Sequence, residues 1–122
     1  CADAPMFNQE RLSRLLTIFK KTGRKLVPTV VEPYLRAVEE QLTLMHAALD
    51  EQDSQGLLDS AHFLLGGSRN LGLQKFTAIC VGIQEQAGRQ QFDEVRQLMG
   101  TLASELPVVR HQVAQMQARG EL

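Results

Sequence analysis

Apolar residues recur every three or four positions along almost the whole chain, and no stretch keeps the two-residue alternation of a half-buried strand. The clearest run is Phe92, Val95, Met99, Leu102, Leu106, Val109, Val113 and Met116. A second is Val27, Val31, Tyr34, Val38, Leu42, Met45 and Leu49. Such spacing puts one apolar stripe on each helix and makes the chain all-α. The connections are only a few residues long, between helices of about 15 to 25 residues, which favours antiparallel neighbours. The expected fold is an antiparallel four-helix bundle with a short extra N-terminal helix covering one end. At 122 residues it is a single domain over 1–122, with 1–7 as a flexible lead, 8–118 helical and 119–122 as a tail. Hydrophobic residues make up 43% but aromatics only 5%, with no Trp, so aliphatic side chains must fill the core.

Local signals place the helix ends. Asn8 is a good N-cap, and Phe7 and Leu12 are spaced for a hydrophobic staple across it. Leu12, Leu15, Leu16 and Phe19 follow, and Gly23 interrupts. Pro28 suits the first turn of the next helix, whereas Pro33 removes a backbone donor and should kink that helix or shift its start. Asp53 caps a third helix carrying Leu57, Leu58, Ala61, Leu64 and Leu65. Asn70 and Gly72 offer turn chemistry before a fourth stripe of Leu73, Phe76, Ile79, Cys80, Ile83 and Ala87. Pro107 is placed to bend the last helix.

Several function classes are excluded early. A net charge of -1 gives no general attraction to nucleic acid or an anionic membrane, so neither is expected as a partner. No apolar run reaches the roughly 20 residues of a membrane span. Cys1 and Cys80 form no metal-ligand pattern and no disulfide framework, which fits a reducing cytoplasm, with Cys80 a small buried thiol. The chain opens on Cys1 without a signal-like stretch, as a segment of a longer polypeptide would; a lipid-modified N-terminal Cys is the alternative. Charge is uneven: six of 13 basic residues precede Leu26, while Glu32 to Asp59 holds seven acids against Arg36 alone. The bland explanation is a solvated polar face, and the sharper one is a steering surface for a protein partner.

His62 has the most unusual company. At about 100° per residue, Leu57, Ala61, Leu64 and Ser68 cluster on one side, and His62 points about 140° away from their centre. Gln55, Leu58, Asp59, Leu65, Gly66 and Arg69 share that outer strip. A helical Gly costs about 1 kcal/mol relative to Ala, so Gly66-Gly67 calls for a reason. Either the helix ends at Gly66, or Gly66 clears the approach to an imidazole one turn away on the same face. Gly67 faces nearer the core, where it would permit close approach of a neighbouring helix. A neutral imidazole is a competent nucleophile that can accept and pass on a phosphoryl group. Metal binding is the weaker reading: the i+4 position is Gly66 and only Asp59 at i-3 offers a ligand. The sequence carries no P-loop, no dinucleotide fingerprint and no nucleophile elbow, so phosphate must arrive already activated. Gln84 and Glu85 lie on the fourth helix where either could reach the ring. His46 and His111 fall off the core centres and face solvent, and Tyr34 belongs to the core with its hydroxyl at the edge.

The run Ala61-His62-Phe63-Leu64-Leu65-Gly66-Gly67-Ser68-Arg69-Asn70-Leu71-Gly72 resembles the histidine-containing phosphotransfer (HPt) pattern A-H-x-L-K-G-x-[SA]-x-x-[LI]-G. The similarity extends through Asp50-Glu51-Gln52-Asp53 before it and Phe76, Cys80 and Glu85 after it. It implies that His62 is the phosphoacceptor, Gly66 the gap for partner docking and Gly72 the turn into the next helix. It further implies a monomeric phosphocarrier, not an enzyme, with no nucleotide, metal or cofactor of its own. Mg²⁺ is expected only in the partner, a receiver domain of a response regulator or hybrid sensor histidine kinase. The domain would be cytoplasmic, free or as the cytoplasmic part of a membrane-bound hybrid kinase, with no direct membrane contact. Leu65 stands where the family usually has Lys, so an ammonium that would help neutralise the phosphoryl group is missing. Arg69 lies two turns on, about 10 Å away, and could compensate only by folding back; otherwise it is an ordinary solvated Arg. Leu65 and Leu58 would instead enlarge an apolar docking patch, with partial burial in the core as the other reading. The alternative function is a transfer-incompetent module that only docks receiver domains.

Overall fold

The computed structural model describes residues 6–120 and 122, all helix and short connections apart from one isolated bridge. In chain order the elements are α1 (Gln9–Thr22), a π turn (Val27–Val31), α2 (Glu32–Asp50), α3 (Ser54–Leu71), α4 (Gln74–Gly88) and α5 (Phe92–Ala118). Side-chain meetings across the helix pairs show that sequential neighbours run antiparallel. Tyr34 of α2 reaches the Leu64 carbonyl while Ala48 faces Gly56. Ser68 and Gln84 of the next pair meet Thr77 and His62, and Gly82 and Lys75 meet Leu98 and Glu105 of α5. The Arg110 guanidinium, bonded to Glu32 and Glu39, ties α5 back to α2. Those partners, Glu32 first, favour its charged form, yet the network is largely exposed and adds little stability.

The helix ends follow their local chemistry. Asn8 Oδ1 accepts from the Arg11 N–H at 3.0 Å, and Asp53 Oδ1 accepts from the Gly56 N–H at 3.0 Å. Gly23 and Gly72 close α1 and α3 in the left-handed region, each at φ 72°. Helix α3 therefore runs straight through Gly66-Gly67, so Gly66 is no helix terminus. Pro33 does not kink α2; it sits in the first turn. Just before it the Glu32 N–H bonds back to the Val27 carbonyl, five residues away. That wider turn relieves the crowding a proline ring creates against the carbonyl four residues earlier. Pro107 lies inside α5, whose 27 residues span about 40 Å.

The core is aliphatic as composition requires, with Leu35, Met45, Leu57, Leu64, Ile83, Met99 and Leu102 fully buried around Phe76. The lead needs correcting at its inner end. Met6 and Phe7, expected to be flexible, are buried beside the α3–α4 corner. The Asn8 N–H donates to the Gly72 carbonyl at 2.7 Å, the Gln74 N–H donates to Met6 at 3.2 Å, and Phe7 bridges to Leu73. Helix α1 is thereby pinned to the end of α3. The rest of the lead, including Cys1, and residue 121 of the tail lie outside the described residues.

Candidate functional site

Two neighbours set the rotation of α3 about its axis. Toward α2, an added Cβ on Gly67 would stand 2.5 Å from two ring carbons of Tyr34, so only a missing side chain lets the ring lie across the helix. The Tyr34 hydroxyl then donates to the Leu64 carbonyl at 3.0 Å, reaching backbone rather than solvent. Burial pushes the Tyr34 phenol well above its ordinary value, which keeps it the neutral donor. Toward α4, buried Ser68 donates to the Leu65 carbonyl at 2.9 Å and meets the Thr77 hydroxyl at 2.9 Å. Cys80 is buried in the same interior, and desolvation raises its thiol to about 12, so it is inert.

With α3 held in this way, His62 is exposed on the outer flank beside α4. Its Nδ1 lies 3.5 Å from the side-chain amide of Gln84. Glu85, the other candidate on α4, is exposed and makes no side-chain bond to the ring. One turn beyond His62, an added Cβ on Gly66 would meet nothing within 4 Å. The notch opens on solvent and the fold itself does not require it. Gln55 Nε2 donates to Asp59 Oδ1 at 2.8 Å, so these two pair with each other a turn before the imidazole. Arg69 is exposed at the far end of the strip, and His46 and His111 face solvent.

The structure corrects one member of the strip. Leu65 is 5% exposed and belongs to the core, and Leu58 is half-buried against it. Both stand between the core centre and His62 on the helical wheel, and α4 covers that intermediate flank. On α3 the large apolar side chain left in the open is Phe63, 59% exposed and next to His62 in the chain. The same wheel places Phe63 about 125° from the core centre, so that signal was present in the sequence. Among the described residues no three His, Cys, Asp or Glu side chains gather in one place, and no helix is long and apolar enough to cross a membrane.

A helical bundle that sets an exposed imidazole one turn from a bare helical glycine has the architecture of a histidine phosphotransfer domain. The Hpt domain family model matches residues 29–119, and the chain belongs to that family. Its members are phosphocarrier modules rather than enzymes, and they act with receiver domains in phosphorelay signalling. Among solved structures, the chain is similar to the crystal structure of histidine-containing phosphotransfer protein B (HptB) from Pseudomonas aeruginosa PAO1. The identity is 27% and the TM-score 0.82, over 96% of this chain and 98% of that one. A comparison with curated proteins gave no match.

Proposed function

We propose that His62 takes a phosphoryl group from the phospho-aspartate of one receiver domain and returns it to the aspartate of another. The observation that carries this reading is the exposed ring beside the open notch at Gly66. In-line transfer needs the attacking nitrogen about 3 to 3.5 Å from phosphorus, and a side chain at the notch would hold a folded partner further off. Gln84 supplies the orientation. The oxygen and nitrogen of its amide occupy interchangeable positions, and with Oε1 toward the ring it accepts from an Nδ1–H. That tautomer leaves the Nε2 lone pair free. Nε2 attacks phosphorus, the P–O bond to the donor carboxylate breaks, and the carboxylate leaves with the bonding pair. The Nδ1 proton stays on the ring beside Gln84. The second transfer reverses these events toward a new carboxylate.

Leu65 is buried, so no ammonium replaces the family lysine at that position, and charge neutralisation falls to the Mg²⁺ held by the receiver. The domain needs no cofactor of its own. Phe63, rather than Leu65, supplies the apolar contact next to the ring, with Leu58 at its margin. Asp59, Gln55 and Arg69 border the docking face, and Gly72 makes the turn that ends α3. The domain works as a monomer in the cytoplasm, between the receivers of a hybrid sensor kinase and a response regulator. A module that docks receivers without transfer is the second reading, favoured only by the missing lysine.

Incubation with a panel of phosphorylated receivers separates the two. Transfer yields an acid-labile, alkali-stable label on the wild-type chain and none on His62→Gln. Label that persists in that variant removes His62 from the role, and binding without label from any receiver establishes the docking module.

A further inference from the structure

Two turns of α3 beyond His62, the same flank opens into a cleft of about 390 Å³. Three helices and a cap build it: Asn8 before α1 and Arg11 within it, Arg69 from the end of α3, and Gln74 and Thr77 from the start of α4. Asn8 and Arg11 precede the stretch matched by the family model. Among the described residues, the cleft is lined by two guanidinium groups and no carboxylate. Arg11 is half-buried and anchored, its Nε donating to the Asn70 carbonyl at 2.8 Å. Its stem crosses the turn because position 72 is glycine: an added Cβ there would stand 3.0 Å from Arg11 Cβ and 3.1 Å from Cγ. The anchoring leaves the terminal nitrogens of the guanidinium as a fixed fork, the geometry that suits a carboxylate. Arg69 has no ion pair or side-chain hydrogen bond among the described residues, and nearby Glu10 is taken up by Arg14 at 2.6 Å. Among the described residues, no carboxylate therefore pairs with either cation.

The geometry points to this cleft as a second docking subsite, in which Arg11 and Arg69 grip an acidic side chain of the receiver that has its phospho-aspartate at His62. This inference rests on the relay reading and extends it to partner choice. Continuity argues for the receiver as occupant: Arg69 follows His62 by seven residues on one flank, about 10 Å along the axis. An interface of ordinary size, about 800 Å² on each partner, spans that distance. Helix α1, pinned to the α3–α4 corner, becomes an element that selects partners.

The test uses the receiver that labels the wild-type chain fastest, with Arg11→Gln, Arg69→Gln and the double variant, each checked for folding by circular dichroism. In single-turnover transfer, each single change should raise the half-saturating phospho-receiver concentration (KM) about tenfold, as loss of one charge-assisted contact does, and leave the saturating rate constant (kcat) within about twofold. The dependence of KM on salt should become shallower, and Arg11→Lys should recover part of the loss. Unchanged KM in Arg69→Gln, which disturbs no anchored group, overturns the subsite. A fall in kcat at constant KM places Arg69 on the phosphoryl group instead and also overturns it. Submillimolar binding of inorganic phosphate that depends on both arginines makes the cleft a free-anion site and overturns it too. Labelling of wild-type His62 by phosphoramidate, a small donor that needs no docking, provides the control. If that label and the receiver label both fail, the relay reading falls rather than the subsite.

Discussion

On the α2 side of α3, Gly67 lies beneath the Tyr34 ring with no room for a methyl group, whereas Gly66, one residue earlier, faces open space. The same helix thus has a dry flank, where a side chain is absent because the fold needs the volume, and a wet flank, where one is absent although the fold would accept it. The first glycine is explained by packing. The second is left unexplained until a visitor is considered, and it sits one turn from an exposed imidazole. Two identical residues in succession can carry opposite meanings, and what each would touch tells them apart.

The contrast can be broken by substitution, and the largest effect belongs to the dry side. Gly67→Ala should cost about 2 kcal/mol of stability, because the Tyr34 ring and its bond to Leu64 must move; urea unfolding reads this directly. An unaltered midpoint would mean that the ring yields freely and that the dry flank is not tightly packed. Gly66→Ala should behave in the opposite way, raising stability by about 1 kcal/mol through helix propensity while slowing transfer from a receiver about tenfold. A variant both more stable and equally fast would take the docking role away from the notch.

The smallest effect concerns pH. Burial lifts the Cys80 thiol from about 9 to about 12 in the folded chain. Between those values the unfolded chain binds fewer protons than the folded one, so stability is full below about pH 9 and falls as pH rises. At about pH 9.5 the loss should be roughly 0.8 kcal/mol, and Cys80→Ala should flatten that part of a thermal denaturation profile. A slope that survives the substitution would assign the alkaline loss to the Tyr34 phenol, which burial also raises.

How much of this was legible in the sequence depends on how far each interaction reaches. Asn8 and Asp53 were readable as caps because their bonds close within three residues. The outward direction of His62 was readable because it depends only on helical periodicity and a core stripe on the same helix. Leu65 was not, since its angle on the wheel is intermediate and the breadth of cover supplied by α4 decides its burial. Met6 and Phe7 looked like a loose lead because their partners, the Gln74 N–H for the Met6 carbonyl and the bridge from Phe7 to Leu73, lie more than sixty residues away. Pro33 announced either a kink or a shifted helix start, and the second is what the structure has: α2 begins at Glu32, directly after the π turn.

The sequence by itself determined the helices, the caps at Asn8 and Asp53, the aliphatic core and the single histidine with a glycine a turn beyond it, because all of these follow from short-range periodicity and local hydrogen bonding. Tertiary structure alone decided which face of α4 meets the ring, so that Gln84 and not Glu85 stands at Nδ1. It alone joined Arg11 to Arg69 across one cleft and turned Leu65 inward. These outcomes depend on how one helix is rotated against another, which the summed packing of many side chains sets and no local pattern encodes.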